Sequence, residues 1–203
     1  CFHRWNWPIN WIRQNRTSGG TGHVMSDMDF GDLFREGVVS WNAWRKAHPD
    51  VIPDLPDEQF SYEDLSGIDF SGMHLDYEDL SSATLIGANF SKTELDHTDL
   101  SDADLKDANF EGANAVCVNL WGAFLEGANF KGANLAEASL KETHLHGTIL
   151  DEANLWRTYL LDAQGLTVAQ LSRVKTLWEI IDLDAQLLDA IGKSYPYLLD
   201  EPA

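Results

Sequence analysis

The sequence predicts an all-β solenoid, a rod built from stacked coils of one short repeated unit. Every fifth residue from Phe60 to Leu160 is Leu or Phe, with the single exception of Ala115, and the register has no insertion. Neither a helix nor a flat strand keeps every fifth residue on one face, since their periods are about 3.6 and 2. Phenylalanine recurs within the register at twenty-residue intervals, at Phe70, Phe90, Phe110 and Phe130. Four five-residue sides are therefore expected to close one coil.

The other positions of the repeat are consistent with such a coil. In most repeats the residue two before the Leu or Phe is small, usually Ala or Thr, which lets the chain pass close to the axis. The residue just before is often Asp or Asn, whose short side chains bond nearby backbone groups at bends. Gly often stands two residues after, where a turn that needs positive φ accepts it. Each repeat thus has two inward and three outward residues.

The inward Leu and Phe side chains are expected to fill the axis of the rod. The predicted core positions are Leu65, Leu85, Leu105, Leu125, Phe70, Phe90, Phe110 and Phe130. Residues 58–163 make slightly more than five coils, which at about 4.8 Å a coil give a rod roughly 25 Å long. Burial of so many large apolar side chains lets the rod fold without disulfides or metal ions. Ala115 is expected to leave a gap that Val118 partly fills.

Several repeats match a known family as they stand. The segments "ANFEG", "ANFKG" and "ADLKD" resemble the pentapeptide-repeat family, whose pattern is a small residue, Asp or Asn, Leu or Phe, and two variable positions. The resemblance covers about half the chain and implies a right-handed, four-sided β-helix. The segments "WNAWRKAHPD" and "GLTVAQLSRVKTL" are similar to flanking segments of bacterial members. The family includes proteins that mimic duplex DNA and occupy the DNA-binding saddle of gyrase, protecting it from quinolones.

The chain divides into four parts. Residues 1–24 are a basic, Trp-rich tail and linker, expected to be disordered, and a membrane-surface or partner-binding peptide is the alternative interpretation. Residues 25–57 hold a capping helix, predicted over residues 28–47 with Ser26 and Asp27 as caps, and a Pro-rich approach to the repeats. Residues 58–163 form the solenoid. Residues 164–203 form a helical cap. A Thr167–Gln170 capping box opens its first helix, which turns Leu171, Val174, Leu177 and Trp178 inward, and a second helix runs from Asp184 to Lys193.

Charge is the most suggestive functional feature of the surface. Residues 58–117 hold 14 acidic and 2 basic side chains, net −12, whereas residues 118–157 hold 5 and 3, net −2. The last coils turn aromatic residues outward instead. The candidate partner surface is therefore Glu63, Asp64, Asp79, Asp99, Asp102, Asp104, Asp107, Trp121, Phe124 and Trp156. Two simpler interpretations remain open. The acidic face can serve solubility alone, and the C-terminal helices can fold back over the outward aromatic residues.

The sequence contains no recognisable catalytic, cofactor or metal site. His144 and His146 flank an inward Leu without a Cys or carboxylate at ligand spacing, and no general base stacks beside the outward serines. Cys117 is expected to be a free surface thiol. No phosphate-binding loop and no basic groove for direct nucleic-acid binding is present. No apolar run is long enough for a transmembrane segment, so a soluble, cytoplasmic protein is expected.

These observations favour a non-enzymatic protein-interaction or scaffolding module that presents a rigid acidic and partly aromatic surface to an unidentified protein partner. The first alternative is a DNA-mimic modulator of a type II topoisomerase, with gyrase as partner. The second is an accessory structural domain of a larger assembly. A homodimer is a candidate oligomeric state, and the sequence does not decide it.

Overall fold

The computed structural model describes residues 30–55 and 60–202, which form a rod of coils with helices before and after it. The helices are α1 (Phe30–Arg35), α2 (Val38–Ala47), α3 (Val168–Leu171), α4 (Ala185–Ser194) and a 3₁₀ helix (Pro196–Leu199). The predicted tail, residues 1–24, and the predicted caps Ser26 and Asp27 lie outside the described residues.

Parallel backbone bridges connect residues that are twenty apart. Asp64 pairs with Thr84 and Asp69 with Asn89, and the same pattern runs down the rod. Four bridges follow one another at five-residue steps, so a coil takes twenty residues and has four sides. The bridges are isolated, and the described residues contain no continuous strand, unlike the strands that an all-β solenoid suggests. The reason is local, because a turn follows every bridge before a second residue can pair.

Each of these turns runs from an inward Leu or Phe to the residue three positions later. The Ile68 amide donates to the Leu65 carbonyl at 3.1 Å, and Met73 donates to Phe70 in the same way. The third residue of the turn has positive φ, for example 71° at Gly67. The predicted role of glycine at this position is confirmed. Other residues also adopt this conformation, among them Tyr62 at 65°.

The four sides are numbered here by their inward residues. Face 1 carries Leu80, Leu100, Leu120, Leu140 and Leu160; face 2 carries Leu65, Leu85, Leu105, Leu125 and Leu145. Face 3 carries Phe70, Phe90, Phe110, Phe130 and Leu150; face 4 carries Leu75, Leu95, Ala115, Leu135 and Leu155. All of these side chains are buried. On face 3 the rings of Phe110 and Phe130 are parallel within 4° with centroids 4.5 Å apart.

The N-terminal end of the rod is covered by α1 and α2. The single predicted helix over residues 28–47 is wrong, because the chain breaks at Gly37, whose φ of 98° is not helical. Trp41 is fully buried and its indole Nε1 donates to the Asp69 carbonyl at 2.8 Å. Phe34 packs edge-on against Phe60, with centroids 5.4 Å apart. The apolar cross-section of the first coil is thereby removed from water.

Polar side chains of α2 satisfy backbone groups at that end. Asn42 donates to the Gly67 carbonyl at 2.8 Å and accepts from the Asp69 amide at 2.9 Å. Arg45 is buried and donates to the carbonyls of Val51 and Ser71. Burial lowers the pKa of Arg45, while Asp69 acts in the opposite direction. These bonds replace the partners that a preceding coil would supply.

The C-terminal end is covered differently from the prediction. The Thr167 half of the predicted capping box is present, with the Thr167 hydroxyl accepting from the Gln170 amide at 3.2 Å. The Gln170 side-chain amide donates instead to the carbonyls of Leu145 and Thr148. The helix that Thr167 opens has only four residues, however, so the predicted long inward-facing helix is wrong. The chain then returns to the coil, with bridges from Asn154 to Thr176 and from Tyr159 to Ile181. Two residues more than the usual twenty accommodate the short helix.

The second C-terminal helix lies where the sequence predicted it. Asp184 caps α4, accepting from the amides of Gln186 and Leu187. Ile191 of α4 and Leu198 of the 3₁₀ helix are buried against the last coil. Since bridges continue to Ile181, the boundary predicted at residues 163 and 164 is not a boundary between coil and helix.

Candidate protein-docking surface

The predicted acidic residues occupy two adjacent faces of the first coils. Asp79 and Asp99 form a column on face 1 and are joined by a parallel bridge, and Asp102 stands at the corner after face 1. The remaining predicted acidic residues are Asp64 and Asp104 on face 2, Asp107 at the corner after face 2, and Glu63, exposed at the start of the rod. The structure therefore brings most of the predicted carboxylates together.

The carboxylates on the bridges also have a structural role. Asp99 Oδ1 accepts from the Ser101 amide at 2.9 Å, from the Ser101 hydroxyl at 2.6 Å and from Asn119 Nδ2 at 3.0 Å. Ser66 bonds hold the pKa of exposed Asp64 below its ordinary value, the hydroxyl contributing more than the amide. The predicted bonding of Asp and Asn to bends is confirmed.

Asparagine performs the same structural task without the charge. Asn89 Oδ1 accepts from the Ser91 amide at 3.1 Å, as Asp79 Oδ1 does from Ser81 at 2.9 Å. Asn109 additionally donates to Asn89 in the coil above, at 3.3 Å. Hydrogen bonds between side-chain amides thus join a column of asparagines, whereas the carboxylates of facing aspartates repel each other. The fold does not require carboxylates on the first coils.

Like charges are also crowded at the outward edge of face 4. Asp76 Oδ1 accepts from the Asp96 amide at 2.9 Å, which brings the two residues into adjacent coils. Burial raises the pKa of Asp96 above its ordinary value, and the negative charges of Asp76 and Glu94 add to that effect. His97 opposes it, with Nδ1 3.4 Å from Asp96 Oδ2. This crowding costs stability, because burial and the neighbouring negative charges disfavour the ionised form of Asp96.

Below the acidic column, face 1 becomes aromatic. Trp121 is 46% exposed and stands one coil below Ser101. It borders a cavity of about 410 Å³, called here the face 1 groove, whose lining includes Val118, Asn119, Trp121, Ser139, Lys141 and Tyr159. Lys141 Nζ lies 5.1 Å from the centroid of the Tyr159 ring. Sequence reasoning missed this groove, because Lys141 and Tyr159 are eighteen residues apart in the chain.

Phe124 lies on adjacent face 2 between charged and polar neighbours. It is 37% exposed. Lys106 Nζ lies 4.8 Å from its ring centroid and is also 3.1 Å from Asp104 Oδ2. The His144 ring lies 5.0 Å away, and His144 Nδ1 is 3.6 Å from Glu126 Oε1. Phe124 therefore contributes a partly covered ring at the edge of the acidic surface.

Trp156 does not join the other two aromatic residues. It lies on face 4, where its ring stacks on Trp178 with centroids 5.7 Å apart and planes within 10°. Trp178 belongs to the extra coil, so this aromatic residue is covered by coil and not by a helix that folds back. Cys117 is half-buried in the lining of the face 1 groove and is not a free thiol, contrary to the expectation.

The described residues hold no group of three or more His, Cys, Asp or Glu side chains arranged for a metal ion. Within the same residues, no helix combines the length and the apolar character needed to cross a bilayer. What this surface can do chemically is to bind: it offers carboxylates for basic groups and an aromatic groove for apolar ones.

A scan of protein families matches the chain to pentapeptide repeats in eight copies, at residues 64–102, 93–132 and 128–163. The matched residues are those of the coils. No curated protein sequence matches the chain significantly.

Several solved structures are similar to parts of the chain. HetL, a pentapeptide repeat protein involved in heterocyst differentiation regulation from the cyanobacterium Nostoc sp. strain PCC 7120, is 29% identical, with a TM-score of 0.49. The match covers 66% of this chain and 55% of HetL. Rfr23 from the cyanobacterium Cyanothece 51142 is 34% identical over 53% of this chain and 62% of its own, with a TM-score of 0.26. QnrB1, a plasmid-mediated fluoroquinolone resistance protein, is 21% identical over 63% of this chain and 72% of its own, with a TM-score of 0.32. The chain thus spans just over half the length of HetL.

Proposed function

Because the chain belongs to the pentapeptide-repeat family, we propose that it is a non-enzymatic protein-interaction module built on a right-handed quadrilateral β-helix. Its docking surface comprises the acidic residues of faces 1 and 2 together with Trp121 and Phe124. The partner is a protein that presents basic groups next to apolar ones. Trp156 is left out of this surface, since it stacks beneath Trp178 on another face.

The observation that carries this proposal is a pair of facing aspartates at positions where asparagine makes the same bonds to the bends without the charge. Asp79 and Asp99 face each other across a bridge, while Asn109 and Asn129 in the equivalent column of face 3 are joined at 3.1 Å. Facing carboxylates repel, and facing amides bond. Charge kept at a cost to stability points to a role for the charge itself. Its concentration on the first three coils argues against a mere solubility device, which would serve on any coil.

The test compares capture of protein partners by the wild-type chain and by surface variants. Asp79→Asn with Asp99→Asn removes two charges while keeping the bonds to the bends, and Trp121→Ser removes the exposed ring. Ile149→Ser is the matched control, because Ile149 is exposed to a similar extent, 43%, but lies on face 3. We expect the same partner to be lost from both surface variants and retained by the control. The melting temperature should stay the same for Trp121→Ser and for the control, and should rise for the double Asn variant, because that variant no longer has facing carboxylates. Equal capture by all the variants would remove the proposal.

DNA mimicry is the second candidate function, and the rod's charge favours it. Duplex DNA carries about one charge per 1.7 Å, so a rod of roughly 25 Å corresponds to about fifteen phosphates. Residues 58–163 carry 20 acidic and 5 basic side chains, net −15. Most of that charge lies on three coils, which is unlike the uniform charge of a duplex. A gyrase supercoiling assay, with and without a quinolone, tests this function. Neither inhibition nor protection at micromolar protein would exclude it.

A further inference from the structure

The chain carries a segment whose composition complements face 1. Residues 1–17 contain Arg4, Arg13 and Arg16 and no acidic residue, and they contain three tryptophans, Trp5, Trp7 and Trp11. We propose that this segment docks on face 1 of its own molecule, with its tryptophans in the face 1 groove and its arginines over the acidic column.

Charge complementarity supports the upper half of this contact. Asp79 and Asp99 lie on face 1 and Asp102 at its corner, in coils whose net charge is −12. The bridge between Asp79 and Asp99 sets two carboxylates next to each other. Guanidinium groups relieve such repulsion and bind carboxylates with two parallel hydrogen bonds. The first coils themselves supply little positive charge to this column. The Lys and Arg residues within residues 60–117 are Lys92 and Lys106, and Lys106 is paired with Asp104.

Aromatic complementarity supports the lower half. The face 1 groove has a volume of about 410 Å³ and is bordered by the exposed ring of Trp121. Its Lys141 and Tyr159 already make a cation–ring contact at 5.1 Å. Indole rings gain from stacked or edge-on contact with aromatic neighbours and from a cation over their face. A segment with three tryptophans in seven residues fits such a lining better than a purely basic peptide would.

The stretch between residue 17 and Phe30 is long enough for the arginines to reach the acidic column and for the tryptophans to reach the face 1 groove. The described chain starts at Phe30, at the N-terminal end of the rod. Residues 18–29 reach about 40 Å when extended, and the distance from the first coil to the groove is about 15 to 20 Å at 4.8 Å a coil. Arg13 and Arg16 are closer in sequence to Phe30 than the tryptophans are. They therefore meet the acidic coils first, and Trp5 to Trp11 reach the groove below.

Such docking would place an intramolecular competitor on the surface that the proposed function assigns to a protein partner. This regulatory consequence rests on the proposed function, whereas the docking itself does not. A partner would have to displace the segment, so binding would be stronger to a chain whose segment is removed or neutralised.

Hydroxyl-radical footprinting of the full chain, without any partner, tests the docking. The test variant replaces Arg13 and Arg16 by Glu; its matched control is Arg173→Glu, an exposed arginine outside the segment. A segment docked two thirds of the time leaves Trp121 accessible for one third of the time and so lowers its oxidation about threefold. Oxidation of Trp121 should therefore rise about threefold in the test variant. Oxidation of the stacked Trp178 should stay constant in both. Unchanged Trp121 oxidation in the test variant would overturn the proposal.

The reciprocal variant addresses the groove. Trp121→Ser should raise oxidation of Trp5, Trp7 and Trp11 in the full chain, and no rise would overturn the proposal. Both measurements are repeated over a tenfold range of dilution. Protection that is independent of concentration supports docking within one molecule, while protection lost on dilution would replace it with binding between two copies. Because no partner is present, failure of this test leaves the capture experiment above unaffected.

Discussion

The stack of phenylalanines on face 3 allows a quantitative prediction for Phe110→Leu. Phe110 is 1% exposed and lies between two parallel rings, with centroids 4.8 Å from Phe90 and 4.5 Å from Phe130. A stacked pair contributes about 0.5–1.5 kcal/mol beyond area burial. Leucine keeps most of the buried apolar area but neither ring contact. We therefore expect a loss of about 1–3 kcal/mol in the free energy of unfolding.

Phe130→Leu is the matched control for this prediction. Phe130 has one parallel ring above it, and the next residue of the column is Leu150. It should lose about half as much, roughly 0.5–1.5 kcal/mol. For a chain of this size 1 kcal/mol corresponds to about 2–4 °C in melting temperature, so the two variants are separable by thermal denaturation followed by circular dichroism.

The double variant measures the ring contact itself. If stacking stabilises the rod, Phe110→Leu and Phe130→Leu together should cost less than the sum of the two single changes, since both remove the same contact. Coupling below about 0.3 kcal/mol, or equal losses in the two single variants, would refute the reasoning. In that case the phenylalanines would stabilise by burial alone.

Three further predictions concern other positions of the rod. Gly122→Ala should cost about 1–2 kcal/mol or more, because φ is 69° and the Asp102 carboxylate lies where the new methyl group would be; Gly132→Ala, with open space at a φ of 65°, should cost less in the same denaturant titration. Asp96→Asn should raise the melting temperature at pH 7. The folded-state pKa of Asp96 is raised, so its charged form destabilises the fold above that pKa, and the gain should vanish as pH falls below the ordinary value of 3.8; a gain that persists at low pH would contradict the charge explanation. Ala115→Leu should raise the melting temperature if a gap lies beside Val118, and a clear fall would mean that the site has already closed.

The repeat register was predictable because inward positions recur at a fixed spacing and each coil buries its apolar residues only against its neighbours. The bonds of Asp and Asn to the bends were predictable for the same reason, since they involve residues two apart. The predicted helix from Thr167 was wrong. Leu171, Val174 and Leu177 are spaced as on one face of a helix, but an additional coil buries them just as well as a helix would. Local spacing did not distinguish between these two ways of covering the end of the rod.

The docking surface was only partly predictable. The acidic half was visible in composition. Trp156 lies on face 4 and Trp121 on face 1, a separation that the twenty-residue period already implied, whereas the stacking of Trp156 on Trp178 did not follow from the period. The groove brings Lys141, Tyr159 and Trp121 together from three successive coils. Such contacts between residues about twenty apart follow from the register, yet which side chains turn toward each other depends on their packing.

The amino-acid sequence by itself determined the coil, its inward residues and the uneven charge along its length, because a five-residue period leaves one way to bury so many Leu and Phe side chains. Only the tertiary structure decided how the ends are covered, that Trp178 stacks on Trp156 and that Trp121 borders a groove below the acidic column. The physical reason is that the interior repeats and each coil contacts its neighbours alike, whereas the ends and the outward side chains have no repeating partner and their arrangement depends on contacts between different coils.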